Sequence, residues 1–516
     1  MYKNQRRIKE LTPYIPAADI FRIYEREPGA AFLDSSLVNE LGHYSVIGRC
    51  PYLKLVKDGE TFTINGRPET ETTFEDYMRE YLNTHEDKNS SGLPIVSGAV
   101  GYFSYDYGRK QMGVSSGEKD LVTVPEAVLT FYDCFIIEDC QEKRTYLVSN
   151  GISADATTEI GAMEKAIREF TEAGKQEGSE TGEKKESGNR MVTENSHREK
   201  FRIQVHPNFE KEEYKQAVDR MIRYIIEGDI YIANMTQQLT IESEKPPLDV
   251  FYDLRKNNPS PFGGYLDFGD YQIVCASPER FLKMKDRHVN TRPIKGTRKR
   301  GVTSEEDEML HRELQDSGKD KSELLMIVDL ERNDLNRVCT PGSVKVTELF
   351  TVEAYATVFH LVSDIEGELE DGKNVMDLLE AAFPGGSITG APKYRAMEII
   401  DELEHGKRNL YTGSIGYLTL DGSCDFNIVI RTALHKITLA LAAGSQQSQI
   451  WNLSTRRLCR RRKRSWMRCS RETYRTVKVK GSVDRSENLT GTLHKEVKGN
   501  EQHNLRRMFS VRSGSI

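Results

Sequence analysis

The chain has 516 residues, of which 37% are hydrophobic and 29% charged, with a net charge of −6, so it can bury an extensive core. It contains no run of 18 apolar residues and no secretory-signal pattern near residue 1, so we expect no membrane partner. The eight cysteines are scattered without a CxxC pair, which disfavours a zinc ribbon or a disulfide scaffold and favours a reducing, cytoplasmic location.

The pattern of apolar residues divides the chain into four parts. Residues 1–170 alternate short apolar runs with turns, as in PYLKLVKDGETFTING, which is typical of antiparallel strands. Few apolar residues follow, and we expect a flexible linker over 171–205. Residues 206–440 mix helical and strand patterns. Residues 441–516 form a tail that is strongly basic from residue 451 onwards.

The third part gives the clearest predictions of individual elements. NFEKEEYKQAVDRMIRYIIEGD has a helical period, an acidic first turn and Gly228 near its end. YQIVCASPERFLKM predicts a strand, a break and a second strand, and KSELLMIVDLERNDL predicts a helix. NVMDLLEAAFPGGSITGAPKYRAMEIIDELE predicts a helix, a glycine-rich turn and another helix.

The glycine-rich turn PGGSITGAPK is the first candidate binding element. Its backbone N–H groups, the Ser387 hydroxyl and the following helix N-terminus would favour an anion. The alternative is a tight turn whose glycines need a positive φ. The spacing fits neither a P-loop nor a dinucleotide-binding motif.

Four further residues could take part in catalysis or binding. Glu323 begins an apolar helix, where it is either stabilised by the helix dipole or a ligand of Mg²⁺. Glu279 lies between two apolar runs, and burial would favour its protonated form, which suits a general acid. Arg431 ends an apolar strand and could bind a substrate carboxylate. His360 is flanked by apolar residues, where a histidine is more often a core residue than a catalyst.

The basic stretch RPIKGTRKRG contains Lys295 between a stiff Pro-Ile pair and a Gly-Thr turn. Three interpretations are open: the lysine binds an anion, acts in chemistry, or is simply solvated. If it acts as a nucleophile, it must be neutral. The like charge of its basic neighbours, Arg292, Arg298, Lys299 and Arg300, together with burial, would favour the neutral amine.

Eight motifs follow one another over residues 208–435: GDIYIANMTQ, SPERF, RPIKGT, SELLMIVDLERNDL, FHLVSDIEG, PGGSITGAPK, YTGSIGY and FNIVIRT. In this order they resemble the chorismate-utilising enzymes, which include anthranilate synthase component I, aminodeoxychorismate synthase component I, and the isochorismate and salicylate synthases. AFLDSS, HYSVIG and SGAVGYFSYDYGR are similar to the N-terminal region of the first two. The resemblance implies an α+β fold with two facing β-sheets flanked by helices.

Within that family the residue at position 295 separates two activities. Anthranilate synthases typically read PIAGT, whereas aminodeoxychorismate synthases read PIKGT and use the lysine as a covalent nucleophile. The resemblance therefore implies that this chain aminates chorismate at C4 to give 4-amino-4-deoxychorismate, a precursor of 4-aminobenzoate and folate. Lys295 would be the nucleophile, and Glu279 would protonate the departing hydroxyl. The alternative activity is that of anthranilate synthase component I.

The resemblance also implies the rest of the site. Glu323 would bind Mg²⁺, and a tryptophan pocket would include Ser36, Pro261 and Phe262. Ile232 occupies the position of the water-activating lysine of isochorismate and salicylate synthases, so water is disfavoured as nucleophile. Because the chain has no Cys/His/Glu glutaminase signature, a separate glutamine amidotransferase subunit would supply ammonia. The residues that would line the chorismate pocket are Gly296, Thr297, His360, Ser387, Tyr411 and Arg431.

The C-terminal tail departs from the family. Residues 451–516 contain 18 Lys and Arg but 5 Asp and Glu, a balance that could serve a nucleic-acid-binding arm. Relatives instead continue with a glycine-rich strand and a helix resembling GGGIVADS…EYEET…KA, which supplies further glutamates for Mg²⁺. The expected strand and helix are not recognisable here.

A shifted reading frame explains the tail better than a nucleic-acid arm. Read two nucleotides downstream with permitted codons, QIWNLSTRRLCRRRKRSWMR (449–468) becomes DLESEYEETLSKAKALMDA, and the Trp466–Met467 pair fixes the middle of this reading. We therefore expect no nucleic-acid partner, a disordered tail, a missing final strand and helix, and weak Mg²⁺ binding. An inactive, C-terminally frameshifted chain is the remaining alternative.

Overall fold

The computed structural model describes residues 6–117, 122–179, 204–355, 358–438 and 448–460. None of the helices in these ranges is long and apolar enough to cross a membrane. The helices are α1 (Ala17–Tyr24), α2 (Phe74–Thr84), α3 (Tyr105–Gln111), α4 (Ala156–Ser179), α5 (Lys211–Glu227), α6 (Pro247–Asn257), α7 (Ser304–Gln315), α8 (Gly318–Asn336), α9 (Val375–Ala382) and α10 (Lys393–Leu403).

The strands pair antiparallel throughout these ranges. They are β1 (Arg7–Leu11), β2 (Ala31–Asp34), β3 (Tyr44–Asp58), β4 (Thr61–Ile64), β5 (Arg67–Glu69), β6 (Gly98–Phe103), β7 (Ala127–Asp139), β8 (Arg144–Ser149), β9 (Gln204–Pro207), β10 (Ile232–Glu242), β11 (Phe262–Asp267), β12 (Tyr271–Ser277), β13 (Arg280–Lys285), β14 (His288–Thr291), β15 (Ile294–Lys299), β16 (Lys345–Ala354), β17 (Val358–Glu368), β18 (Gly390–Ala391), β19 (Ser414–Thr419), β20 (Cys424–Asn427), β21 (Thr432–Thr438) and β22 (Ser448–Arg460).

Two sheets share the long strands β3 and β7. The first sheet has the order β10-β22-β21-β12-β11-β2-β3-β7-β8-β1, and the second has the order β4-β3-β7-β6-β19-β20-β13-β14-β17. Strand β17 pairs with β14 and β15 and also with β16. Because β3 and β7 continue from one sheet into the other, the ladders form a single hydrogen-bonded network.

The two sheets face each other across a shared core. This core combines Val46 and Ile273 of the first sheet with Val100 and Ile415 of the second. Helices α1, α4 and α6 cover the outer face of the first sheet, and α2, α8 and α9 cover the outer face of the second. Burial of alternate residues on opposite faces explains how each strand contributes to two cores. The predicted α+β fold with two facing sheets is confirmed.

The elements predicted from the third part of the sequence are present. Helix α5 ends where Gly228 adopts a φ of 94°, a left-handed conformation that glycine adopts without steric cost. Strands β12 and β13 are separated by a two-residue break. Helix α8 covers all of KSELLMIVDLERNDL but begins earlier, at Gly318, so Glu323 lies in its second turn and does not begin the helix as expected. Helices α9 and α10 flank the glycine-rich turn as expected. In the N-terminal part, helices α1 to α4 accompany the predicted strands.

The predicted linker begins too early. Helix α4 continues to Ser179, because Ile160, Met163 and Ile167 anchor its first half in the core and good helix formers follow. Strand β9 then begins at Gln204, inside the predicted range 171–205. Residues 180–203, which carry the rest of that prediction, lie outside the described residues.

The expectation that the final strand would be missing is also wrong. Strand β22 pairs with β21 on one side and with β10 on the other, so it fills the space between them in the first sheet. Its ladders use backbone N–H and C=O groups, which every non-proline residue carries, so a basic segment can occupy this place. The remainder of the predicted disordered tail, 439–447 and 461–516, lies outside the described residues.

Candidate active site

Lys295 is buried inside the protein at the start of β15. Its side chain is 6% exposed, and its Nζ donates a hydrogen bond to the carbonyl oxygen of Ser387 over 3.0 Å. The same carbonyl accepts a bond from Nδ2 of Asn234, also over 3.0 Å. The lysine is therefore not a solvated loop residue but is held against the glycine-rich turn by β10 and β15.

The basic neighbours of Lys295 do not act as the sequence suggested. Each is paired with at least one carboxylate, so its charge is compensated and repulsion cannot be the main reason for a neutral lysine. The buried position of Lys295 remains as the feature that favours an uncharged amine. The pairs are Arg292 with Glu348, Glu353 and Asp364; Arg298 with Glu313 and Asp320; Lys299 with Glu306; and Arg300 with Asp307.

Four predicted pocket residues come together where β15 pairs with β17. Thr297 lies opposite His360 in the ladder, and its hydroxyl lies 2.9 Å from His360 Nδ1. Burial, and after it the positive charge of Arg431, lowers the pKa of His360 to about 3, whereas a backbone hydrogen bond with Gly296 opposes the shift. The imidazole is therefore neutral at physiological pH and can accept a hydrogen bond from the Thr297 hydroxyl.

The glycines of the turn at 384–393 serve close packing. None of Gly385, Gly386 and Gly390 has a positive φ, so the explanation by a strained turn is wrong for these residues. A Cβ on Gly390 would lie 2.3 Å from the carbonyl oxygen of Ile232, which leaves no room for any side chain. The turn therefore lies directly against β10, in the conformation that presents the Ser387 carbonyl to Lys295.

A buried ion pair that the sequence analysis missed supports the turn. Arg408 is paired with Glu404, and both are almost fully buried. Arg408 Nη1 donates to the carbonyl oxygen of Ile388 over 2.9 Å, and Glu404 Oε1 accepts from the backbone N–H of Thr236 over 2.8 Å. The pair connects the turn to β10. Nothing in the segment GKRNLYTG distinguishes this arginine from an ordinary surface arginine.

Two buried carboxyl groups lie near each other: Glu279, just before β13, and Glu331, on α8. Glu279 is 2% exposed, and its Oε1 has no hydrogen-bond partner in the described protein. Burial raises the pKa of Glu331 to about 8; the hydrogen bond from Thr291 opposes this shift and the charge of Glu279 adds to it. Thr291 Oγ1 donates to Glu331 Oε2 over 3.0 Å. An unpartnered buried carboxylate oxygen is costly, and such groups often mark functional sites.

The position of Glu331 could have been predicted from its spacing along the sequence. It follows Glu323 by eight residues and Ile327 by four, so all three lie on the same face of α8. That face is buried, and the backbone of Gly386 packs against Glu331: a Cβ on Gly386 would lie 3.4 Å from its Cγ. The helix thus directs both glutamates towards the site.

The described residues provide only part of a ligand set for Mg²⁺. Glu323 is buried on α8 and offers one carboxylate. Within the part of the chain that the structure describes, however, no group of three acidic, histidine or cysteine ligands includes Glu323. Mg²⁺ is usually bound by carboxylates, waters and the substrate together. The described residues alone do not form a three-carboxylate site, and the role of Glu323 as a ligand remains a prediction.

Tyr411 and Arg431 lie at the edge of this site. The backbone N–H of Tyr411 donates to the carbonyl oxygen of Arg408 over 3.1 Å, and Tyr411 and Arg408 line a cavity of about 20 Å³. Arg431 has a φ of 53°, and its carbonyl oxygen accepts from Ala276 N–H over 3.2 Å. This left-handed residue ends the pairing of β21 beside His360.

The predicted tryptophan pocket coincides with a separate cavity of about 350 Å³. Pro261 and Phe262 line it, but Ser36 does not; the neighbouring Ser35 takes that place. Ser36 instead hydrogen-bonds the backbone of Ser260. Burial raises the pKa of the lining residue Asp34 to about 6. Ser36 thus lies beside this cavity and not in its lining, and the tryptophan pocket remains a prediction.

Two facing sheets here enclose a buried lysine, a neutral histidine and buried carboxyl groups, a combination typical of an enzyme active site. Residues 43–445 match the profile of the chorismate binding enzyme family, and the chain belongs to this family. It is 37% identical over 397 residues to aminodeoxychorismate synthase component 1 of Bacillus subtilis (strain 168), which covers 76% of this chain and 81% of the relative.

Relatives with the other activity are nearly as similar. Anthranilate synthase component 1 of Spirochaeta aurantia is 36% identical over 377 residues, or 72% of this chain and 74% of the relative. The crystal structure of anthranilate synthase component I from Streptococcus pneumoniae TIGR4 has a TM-score of 0.66 and 27% identity, covering 82% of this chain and 88% of that one. The resemblance to chorismate-utilising enzymes is confirmed, whereas overall similarity does not separate the two activities.

Proposed function

We propose that the chain aminates chorismate at C4 through a covalent bond to Lys295. The observation that carries this proposal is the position of the lysine: its amine is buried, and it is held by the carbonyl oxygen of Ser387 beside Thr297 and His360. The amine therefore lies inside the protein, next to residues that would line the substrate pocket, and not in solvent. A buried amine against a backbone carbonyl suits a nucleophile.

The reaction consists of two displacements. The neutral amine of Lys295 adds at C2 of the ring, the double bond moves, and the C4 hydroxyl leaves as water after accepting a proton. Ammonia then adds at C4, the double bond returns, and the C2–N bond to Lys295 breaks. The amine loses its extra proton after the first addition, and the product is 4-amino-4-deoxychorismate. Two such steps replace a single direct displacement of hydroxide.

Glu279 is suited to supply the proton for the departing hydroxyl. It is buried, it precedes β13, and its free Oε1 can reach a bound group without first breaking a hydrogen bond. Glu331 lies close enough for its charge to act on Glu279, and a protonated Glu331 limits the negative charge in the site. Mg²⁺, when bound with Glu323 as one ligand, would neutralise a carboxylate of chorismate.

Substrate carboxylates would be held at the β15–β17 side of the site. The Arg431 guanidinium can form the bidentate bonds that carboxylates favour, and the neutral His360 can accept or donate a single hydrogen bond. Ile232 is 3% exposed in β10 and cannot act as a base, so the site offers no group there to activate water. This arrangement favours ammonia as the second nucleophile.

Ammonia would come from a glutamine amidotransferase partner. The relatives are named as component 1 of their synthases, which supports the expectation of a second subunit. We expect the complex to act in the cytoplasm and to form a precursor of 4-aminobenzoate and folate.

Anthranilate formation is the second candidate, favoured by the similarity to anthranilate synthase components 1. The products distinguish the two, since anthranilate is released with pyruvate whereas aminodeoxychorismate keeps its enolpyruvyl group. The test supplies chorismate, Mg²⁺ and ammonium to the chain with its reading frame restored after residue 448, and separates the products by chromatography. The variant Lys295→Gln should lose formation of aminodeoxychorismate.

A lysine from the same strand provides the control. Lys299→Gln removes an exposed amine that pairs with Glu306, and it should leave the product and the rate unchanged. Aminodeoxychorismate formed by Lys295→Gln at the parental rate would refute the covalent mechanism. Anthranilate as the main product of the parental chain would replace the proposed activity with the second candidate.

A further inference from the structure

A cluster of metal-binding side chains lies where the long strands pass from one sheet to the other. It consists of Cys50 on β3, Cys134 on β7 and Glu159 in the first turn of α4. One ligand atom from each residue lies within 4.8 Å of the other two. It is the one group of three potential ligands of this kind in the described ranges. We call these residues the Cys50 cluster.

The backbone of Cys50 is distorted in a way that creates this cluster. Arg49 lies opposite Cys134 in the β3–β7 ladder, so regular alternation would place the Cys50 side chain on the other face of the sheet. Cys50 instead has a φ of 54°, a left-handed conformation that costs a non-glycine residue roughly 1–3 kcal/mol. As a result, Cys50 packs beside Cys134 in the outer core beneath α1 and α4.

The chemical composition of the Cys50 cluster matches a thiophilic divalent cation. Zn²⁺ takes thiolate ligands at about 2.3 Å and carboxylate oxygens at about 2.0–2.2 Å in tetrahedral geometry, which requires ligand atoms roughly 3.5–3.8 Å apart. The two sulfur atoms and one carboxylate oxygen lie within 4.8 Å of one another, so small side-chain movements would bring them to that spacing. Cys50 is half-buried, so water can reach the fourth position. The three ligands come from separate elements, which suits a tether between them.

The charges around the cluster leave room for a cation. The nearest basic group, Arg49, is paired with Glu27 over 2.8 Å and lies over the Tyr24 ring at 3.6 Å, so its charge is already compensated. Asp133, the residue before Cys134, accepts bonds from backbone N–H groups, including that of Ser153 over 2.6 Å.

We propose that Cys50, Cys134 and Glu159 bind one Zn²⁺ ion, with water as the fourth ligand, and so attach α4 to the joint between the two sheets. This site is separate from the candidate active site, whose residues lie on β15, β17 and the turn before α10. The proposal does not depend on the proposed function. An ion that binds the folded chain and not the unfolded chain would stabilise the fold by an amount that rises with the logarithm of its concentration over its Kd.

The test measures metal binding by the full chain under a non-thiol reductant. Zn²⁺ is titrated against a chromogenic chelator, and Co²⁺ is added separately to detect the charge-transfer absorption of a thiolate-bound ion. Cys50→Ser and Glu159→Gln should each weaken binding at least about tenfold and remove one equivalent of tight metal. Both positions are partly exposed, so neither substitution opens a buried cavity.

Matched substitutions outside the cluster serve as controls. Cys140→Ser changes another half-buried cysteine, and Glu169→Gln changes an exposed carboxylate farther along α4; both should bind Zn²⁺ like the parent. Binding that is unchanged in Cys50→Ser and Glu159→Gln would overturn the proposal. So would a Cys50–Cys134 disulfide that persists under reductant, or a Co²⁺ spectrum without a thiolate band. Should Cys50→Ser fail to fold, Glu159→Gln decides.

Discussion

Glu331 is a fully buried carboxyl group that holds its proton to high pH. Its pKa is raised from 4.5 to about 8, mainly by burial, so the folded state binds a proton that the unfolded state releases above pH 4.5. The stabilising contribution of this proton is complete below pH 4.5 and is lost as the pH rises towards 8. In that window each pH unit removes up to about 1.4 kcal/mol of unfolding free energy.

Glu331→Gln should therefore flatten the decline of stability between pH 5 and 8. The amide keeps the shape of the protonated acid and can still accept from Thr291, so the variant should be more stable than the parent at pH 8. Urea unfolding at several pH values measures this. Glu308→Gln, an exposed change on α7, is the control. Parallel pH profiles for parent and Glu331→Gln would show that Glu331 is ionised in the folded protein.

Gly296 tests how strictly the backbone beside Lys295 is fixed. It has a φ of +82°, and an added Cβ would lie 2.9 Å from the Cβ of Asp320. Gly296→Ala should destabilise the fold by roughly 1–3 kcal/mol and reduce turnover, because it combines backbone strain with a clash. Gly342→Ala is a matched control, since its φ is +83° but its surroundings are open. Equal melting temperatures for the two variants would show that the contact with Asp320 does not destabilise Gly296→Ala.

At the level of residues, the sequence indicated side chains that the structure brings together, and it missed the residues that support them. Lys295, Thr297 and His360 lie in recognisable motifs, and the structure places them along the β15–β17 ladder; their roles remain predictions. Arg408 and Asn234 could not be predicted, because their roles depend on the path of a turn whose Ser387 lies 153 residues after Asn234. The like-charge argument for Lys295 failed because carboxylates between 7 and 72 residues away pair with its basic neighbours.

Strand β22 is the element whose presence is least obvious from its side chains. It pairs with β10 over residues 232–242 and with β21 over residues 433–438, so both neighbours depend on it for backbone hydrogen bonds. A chain ending after residue 447 should therefore unfold at a lower temperature and aggregate through exposed strand edges. A chain ending after residue 460 should melt like the full chain. Identical melting of the two truncated chains would mean that β22 contributes nothing to stability.

Helix boundaries show what the sequence could predict at this level. The period of apolar residues correctly located α5, α8, α9 and α10, because burial of one face determines these helices. It failed at the end of α4, where the last turns contain helix-forming polar residues that look like a linker. It failed again at β22, since pairing with two existing strands does not require an apolar pattern.

For the whole molecule, we expect the sequence of the C-terminal segment to determine how active this chain is. If the tail is the product of a shifted reading frame, the helix implied by the family resemblance would add Mg²⁺ ligands; the described residues offer no three-ligand group around Glu323. Restoring DLESEYEETLSKAKALMDA in place of residues 449–468 should tighten Mg²⁺ binding on the order of tenfold or more. Melting temperature with Mg²⁺ and turnover with ammonium should rise together.

The chain as it stands is the comparison for that experiment. Isothermal titration with Mg²⁺ in the presence of chorismate, thermal melting and product formation are measured for both forms. Equal affinity and equal turnover in the two forms would contradict the frameshift interpretation, and the metal ligands would then have to lie elsewhere in this chain.

Mass spectrometry can detect the proposed covalent bond between Lys295 and the substrate directly. The frame-restored chain is mixed with chorismate and Mg²⁺ without ammonium, quenched in acid and digested. The peptide containing Lys295 should gain the mass of chorismate less one water, and added ammonium should remove this adduct. The variant Lys299→Gln should still form it. An unmodified Lys295 peptide, under conditions in which added ammonium yields aminodeoxychorismate, would contradict the account.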